Sequence, residues 1–170
     1  MEVRADEVWW LTTDQMRDVD RITMQRFGVD LARMMENAGR ALAELAIVRF
    51  SPSSVIVLAG SGGNGGGGMV AARHLAGRGV EVAVTLSSPY QMSPVPAEQL
   101  AILDRLGVPQ LHAPRSADLV IDALVGYGLT NSPAGRVAEL ISWANDQSSP
   151  ILALDVPSGL DSTTGVAGSP

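Results

Sequence analysis

Cysteine is absent from this chain of 170 residues. Disulfide bonds, thiolate metal sites and cysteine nucleophiles are therefore excluded, and a reducing compartment is allowed but not required. The two histidines, His74 and His112, have no histidine or cysteine partner at ligand spacing. We therefore assign them packing or surface positions and expect no zinc or iron centre.

Long apolar runs are also missing. No stretch of about 18 uninterrupted apolar residues occurs, so the sequence predicts no membrane span. The first ten residues carry acids where a signal peptide needs basic residues followed by an apolar run. We therefore find no targeting segment and expect a cytoplasmic location.

Positive charge is scarce, with 12 Lys and Arg against 18 Asp and Glu and a net charge of −6. This balance argues against nucleic acid or anionic lipid as a partner. Apolar residues make up 46% of the chain and charged residues 18%, a composition that favours a packed core over disorder. We expect a single domain over residues 1–170 that acts on a small molecule.

Apolar periodicity alternates between helical and strand patterns along the chain. A helix capped by Thr12 ends near Phe27, and a second helix capped by Asp30 ends near Ser51, forming a two-helix N-terminal preface. Strand patterns follow at 55–59, 80–86, 119–124 and 151–155, separated by helical patterns at 69–76, 97–106 and 134–144. This alternation predicts an α/β fold with a Rossmann-like, doubly wound parallel sheet and helices on both faces.

Glycine is concentrated after the first strand pattern, where seven of the nine residues 60–68 are glycine. A flexible linker is one interpretation, but the preceding strand and a helix starting just after residue 68 favour a phosphate-binding loop. Residues 86–88 read Leu-Ser-Ser and lack the acid that an ordinary NAD-dependent dehydrogenase carries there. A P-loop is excluded because Met69 follows the glycines.

Polar side chains lie at the ends of two later strand patterns. Asp122 and Asp155 each end a buried run, where an ionised carboxylate is costly unless it is paired or bound to a cation. Capping of a turn is the alternative role for either aspartate. Together with Asn64 and Ser158, Asp122 offers an all-oxygen ligand set that suits a hard cation. Because Asp122 is the only charged member of this set, a monovalent cation is favoured.

Four ordered segments resemble the N-terminal domain of the YjeF family, the NAD(P)HX epimerases. They read Met-Glu-Asn-Ala-Gly at 35–39, the glycine-rich stretch at 60–68, Asp-Ala-Leu-Val-Gly-Tyr-Gly-Leu at 122–129 and Asp-Val-Pro-Ser-Gly-Leu-Asp at 155–161. Four motifs in order are far more specific than one glycine loop. The resemblance implies a Rossmann-like, commonly dimeric fold that epimerises C6-hydrated NADH or NADPH with a bound potassium ion.

Carried over to this chain, the resemblance implies roles for particular residues. The potassium ligands would be Asn64, Asp122 and Ser158, and Asp155 would move the proton when the C6 hydroxyl leaves and returns on the other face. The implied substrate-contacting residues are Gly63, Asn64, Gly65, Gly66, Gly67, Gly126, Tyr127, Gly128, Leu129, Thr130, Asn131, Ser132 and Asp155. The implied partners are the dinucleotides NADHX and NADPHX and a second copy of the chain in a homodimer.

The glycine-rich stretch differs from the family pattern at two positions, with Gly63 in place of an asparagine and Gly67 in place of an aspartate. This difference keeps open a second function, a catalytically inactive YjeF-like module that binds a nucleotide or a protein partner. The chain also stops before the last strand and helices that the family usually has. We therefore expect the family's last elements to be missing from this domain.

Overall fold

The computed structural model describes residues 11–88, 90–129 and 131–168. Within these residues the elements follow the order α1 (Thr13–Phe27), α2 (Leu31–Phe50), β1 (Ser54–Ala59), α3 (Gly63–Ala76), β2 (Glu81–Leu86), α4 (Pro94–Arg105), β3 (Leu119–Ala123), α5 (Gly135–Asn145) and β4 (Ile151–Ala153). The strands form one parallel sheet in the order β2-β1-β3-β4. The predicted α/β fold with a parallel sheet is confirmed.

The two N-terminal helices begin at the predicted caps. The Thr12 hydroxyl accepts a hydrogen bond from the Gln15 N–H, and the Gln15 side chain accepts one from the Thr12 N–H, which completes a capping box. The Asp30 carboxylate accepts a hydrogen bond from the Arg33 N–H and so caps α2. Within the described residues, no helix has both the length and the apolar character needed to cross a membrane.

Apolar side chains cover both faces of the sheet. Val55 and Val57 of β1 pack on one face with residues of α2, α3 and α4. Ile56 and Leu58 point to the opposite face and pack with Leu140 of α5. Because the side chains of β1 alternate between two buried faces, this strand has to be apolar throughout. The sheet is therefore doubly wound, as predicted.

From β1 the chain goes first to β2, on one side of β1, and then to β3, on its other side. The direction in which strands are added therefore reverses between β1 and β3. In open parallel sheets such a reversal leaves a crevice beyond the carboxyl ends of the two strands. The loops after β1 and β3 therefore separate there and leave room for a ligand.

Helix α3 begins earlier than predicted, at Gly63 rather than after Gly68, so the loop after β1 is only three residues long. Glycine is a poor helix former, yet here packing decides the structure. A Cβ on Gly65 would lie 1.8 Å from the Gly60 carbonyl oxygen, and one on Gly68 would lie 2.4 Å from the Ala123 Cβ. The glycines thus let α3 approach the sheet more closely than any other residue would allow.

Two substitutions in α3 separate close packing from helix propensity. Gly68→Ala is expected to lower the free energy of unfolding by about 1–3 kcal/mol, because the new methyl group overlaps Ala123. Gly63→Ala is expected to raise it by about 0.5–1 kcal/mol, because a Cβ there meets only the Met35 Cε at 3.9 Å. Urea unfolding followed by circular dichroism measures both changes. Equal effects of the two substitutions would contradict the packing explanation.

Candidate active site

A cavity of about 780 Å³ lies beyond the carboxyl ends of the strands. This volume is typical of small-molecule sites. Its walls come from the start of α3, the loops after β3 and β4, and the helices α1 and α2. Of the residues predicted to contact substrate, those in the lining are Gly63, Asn64, Gly67, Gly126, Tyr127, Gly128 and Asp155.

The remaining predicted contacts lie elsewhere. Gly65 and Gly66 are buried in the first turns of α3, behind the lining. Leu129, Asn131 and Ser132 line a separate cavity of about 400 Å³. Thr130 lies outside the described residues. The structure thus divides the predicted substrate set between two neighbouring cavities.

The first turn of α3 offers backbone N–H groups to the large cavity. Gly62 caps the helix without a side-chain hydrogen bond, and the first intrahelical bond runs from the Gly66 N–H to the Gly62 carbonyl at 3.0 Å. The N–H groups of residues 63–65 have no partner within the helix, because no helical carbonyl precedes them by four residues. Together with the positive end of the helix dipole, they suit an anionic group such as a phosphate.

Asp155 lies just beyond β4 and is exposed to the cavity. Its backbone φ is +70°, a left-handed conformation that aspartate tolerates better than most residues. Its Oδ2 accepts a hydrogen bond of 2.7 Å from the Tyr127 N–H. A Cβ on Gly126 would lie 2.5 Å from the same oxygen, so the carboxylate reaches this position only because residue 126 is glycine.

Asn64 also lies beside Gly126, near the same point as the Asp155 carboxylate. Its Oδ1 would be 3.2 Å from a Cβ on that glycine. Its Nδ2 is buried and has no hydrogen-bond partner among the described residues. A buried N–H donor without a partner costs free energy, which an acceptor atom of a bound ligand would offset.

Asp122 and Ser158 contact each other directly. Asp122 is only 8% exposed, and its carboxylate accepts hydrogen bonds from the Ser158 hydroxyl at 2.6 Å and the Ser158 N–H at 2.8 Å. The Ser158 hydroxyl oxygen in turn accepts from the Val125 N–H at 2.9 Å. Two of the three predicted potassium ligands are therefore in contact, and Asn64 lies close to Gly126, the residue after Val125.

The donor set at this position fits a hard monovalent cation. Asn64, Asp122 and Ser158 supply an amide oxygen, a carboxylate and a hydroxyl oxygen, with a single negative charge between them. No cluster of three or more His, Cys, Asp or Glu that could hold a metal occurs in the described part of the chain.

Sequence reasoning missed the contribution of α1. Arg17 and Asp20, three residues apart on one face of this helix, line the cavity. The Tyr127 hydroxyl donates a hydrogen bond to the Asp20 carboxylate. Burial, this hydrogen bond and the negative charge of Asp20 raise the pKa of Tyr127 to about 12. The spacing of the two residues was visible in the sequence, but the element that this face meets was not.

Comparisons with known proteins agree with this architecture. The family model described as YjeF-related protein N-terminus matches residues 31–169. The crystal structure of yeast ynu0 superposes with a TM-score of 0.77 at 25% identity, covering 91% of this chain and 72% of the yeast chain.

Curated relatives match most of the chain. NAD(P)H-hydrate epimerase of Dehalogenimonas lykanthroporepellens is 46% identical, with 92% of this chain and 67% of the relative covered. The protein of the same name from Limosilactobacillus fermentum is 34% identical, with 91% and 77% covered. The bifunctional NAD(P)H-hydrate repair enzyme Nnr of Salinibacter ruber is 36% identical, and this chain spans about a third of its length, 33%. The chain belongs to the family of YjeF-related protein N-terminal domains.

Proposed function

We propose that this chain is an NAD(P)H-hydrate epimerase, an isomerase that interconverts the R and S forms of C6-hydrated NADH or NADPH. The observation that carries this proposal is that one cavity contains both the start of α3 and the Asp155 carboxylate. The helix start suits the phosphates of a dinucleotide, and the carboxylate suits proton transfer at its nicotinamide ring. Relatives named NAD(P)H-hydrate epimerase support the same reaction.

The proposed reaction requires one positioned acid and base. The ring nitrogen lone pair assists departure of the C6 hydroxyl, and Asp155 donates a proton to that hydroxyl so that it leaves as water. Water then adds to C6 from the other face, and a proton returns to the carboxylate. The Tyr127 N–H holds the Asp155 carboxylate at 2.7 Å during these steps, which keeps the reacting group oriented.

Asp155 suits this role better than Asp122 does. Asp155 is exposed in the cavity. Asp122 is 8% exposed, and its carboxylate already accepts hydrogen bonds from Ser158 and from the Leu124 N–H. A carboxylate that is enclosed in this way cannot exchange protons with a ligand in the cavity without breaking those bonds.

A potassium ion would be held by oxygens of Asn64, Asp122 and Ser158. When bound, the ion supplies a fixed positive charge that offsets the buried charge of Asp122 and steadies negative charge on a nearby ligand. The protein's own part is to keep the two loops together, which the Ser158 hydrogen bonds to Asp122 and Val125 accomplish.

A homodimer, which the resemblance implies, and a cytoplasmic location, expected because no targeting segment is found, both stay predictions. NADHX and NADPHX are both retained as substrates.

The proposed activity predicts acceleration of a spontaneous reaction. Purified protein with potassium is expected to interconvert the R and S hydrates of NADH and NADPH much faster than buffer alone. Chromatographic separation of the two epimers over time measures this rate. Binding of the dinucleotide without acceleration would instead support the inactive module that Gly63 and Gly67 suggest.

Replacement of the proposed acid and base tests its role. Asp155→Asn is expected to lower kcat by about 10²–10⁴-fold while KM changes little, because the amide keeps the shape and lacks the exchangeable proton. Asparagine also tolerates the left-handed backbone at this position, so the fold should persist. The exposed Asp146→Asn is the matched control. Activity of Asp155→Asn equal to that of the control would refute the assignment.

The proposed ion site is tested by exchange of the cation. Crystals soaked in thallium or rubidium salts are expected to show an anomalous scattering peak among the oxygens of Asn64, Asp122 and Ser158. Potassium is expected to raise the Tm of the wild type above its value in choline chloride at equal ionic strength. Asp122→Asn should abolish that difference. A peak at another position, or an equal Tm in the two salts, would contradict the potassium assignment.

A further inference from the structure

Helix α1 forms one wall of the cavity, although the sequence suggested only a helical preface. The family model begins at residue 31, after this helix has ended. Arg17 and Asp20 nevertheless line the same cavity as Asp155 and the start of α3. A helix that lies outside the matched region therefore contributes two charged side chains to the site.

None of the residues of α1 is buried, and polar contacts join the helix to the rest of the protein. At its start, the hydroxyl groups of Thr13 and Ser162 lie 3.0 Å apart and share a hydrogen bond. One turn after Arg17, the Asp20 carboxylate accepts the hydrogen bond of the Tyr127 hydroxyl. Since Tyr127 also holds Asp155 through its N–H, α1 is joined to the loop that orients the proposed acid and base.

Arg17 is the only basic side chain among the described residues that line the cavity, and Asp20 and Asp155 are the acidic ones. The chain contains no lysine that could supply another cation. The Arg17 guanidinium forms an ion pair of 2.9 Å with Asp14, but the two side chains are 48% and 90% exposed. Such an exposed pair is weak, so Arg17 is free to exchange this partner for an anionic ligand.

We propose that Arg17 is a substrate-binding residue that contacts a phosphate group of the dinucleotide, and that the Asp20–Tyr127 hydrogen bond holds it at the cavity wall. This inference rests on the proposed function, because it takes the ligand to be a dinucleotide. A guanidinium donates two parallel hydrogen bonds to a phosphate, and it keeps its charge at every pH at which the protein is folded. The N–H groups at the start of α3, where Gly63 and Asn64 line the same cavity, offer a second contact for phosphate.

Direct binding of NADH and NADPH tests the proposal without any turnover, since each differs from its hydrate only by the water at C5 and C6. Isothermal titration calorimetry with Arg17→Gln is expected to give a Kd about 10- to 100-fold above that of the wild type. Arg17→Lys should recover part of the loss. Arg21→Gln is the matched control, because Arg21 lies on the same helix and forms an equivalent 2.9 Å pair with Asp18, away from the cavity lining.

NADH carries only the pyrophosphate, whereas NADPH also carries a 2′-phosphate, so a comparison of the two ligands shows which group Arg17 contacts. Equal losses for NADH and NADPH would assign Arg17 to the pyrophosphate, and a larger loss for NADPH would assign it to the 2′-phosphate. The wild-type Kd should also rise with salt concentration more steeply than the Kd of Arg17→Gln, a difference that a merely structural role would not produce.

Three results would overturn the proposal. One is an equal Kd for Arg17→Gln and Arg21→Gln. Another is an equal dependence of Kd on salt for the wild type and Arg17→Gln. The third is that the wild type binds neither dinucleotide. Failure of the epimerase assay with an intact effect of Arg17→Gln on binding would reject the proposed function alone.

Discussion

The first turns of helix α3 meet the end of the sheet through glycines, which carry no side chains, and the geometry of the whole site depends on this contact. Gly65 lies against the Gly60 carbonyl, and Gly68 lies against Ala123 of β3. Any larger residue would push the helix outward and move its first turn away from the strand ends. The glycines therefore lower the helix propensity of α3 but allow it to lie close to the sheet. Its first N–H groups are thereby placed beside the crevice between β1 and β3.

Hydrogen bonds join the loops that complete the site to each other. The buried carboxylate of Asp122 accepts the hydroxyl and N–H of Ser158, which joins the loop after β4 to the end of β3. A buried charge of this kind is tolerated only when its hydrogen bonds are satisfied. The same two loops meet again where the Tyr127 N–H donates to Asp155, with Gly126 leaving space for the carboxylate. Asp122 thus has a structural part that does not depend on any ion.

Charge is distributed unevenly around the cavity. The acidic groups of Asp20 and Asp155 face a single arginine, Arg17, in the described lining. The two charged residues of α1 come from a helix that buries none of its side chains and is held by polar contacts with Tyr127 and Ser162. Part of the cavity lining therefore comes from outside the central sheet and its covering helices, where loops and terminal elements vary most readily.

The sequence by itself determined the order of the elements, because hydrophobic periodicity and the caps at Thr12 and Asp30 are local signals. It also placed polar residues at the carboxyl ends of parallel strands, which necessarily meet at one edge. Only the tertiary structure decided that α3 starts at Gly63, that α1 lines the cavity, and that Asp155 is exposed while Asp122 is enclosed. Those outcomes arise from contacts between residues far apart in the chain, such as Asp20 with Tyr127, which no local pattern encodes.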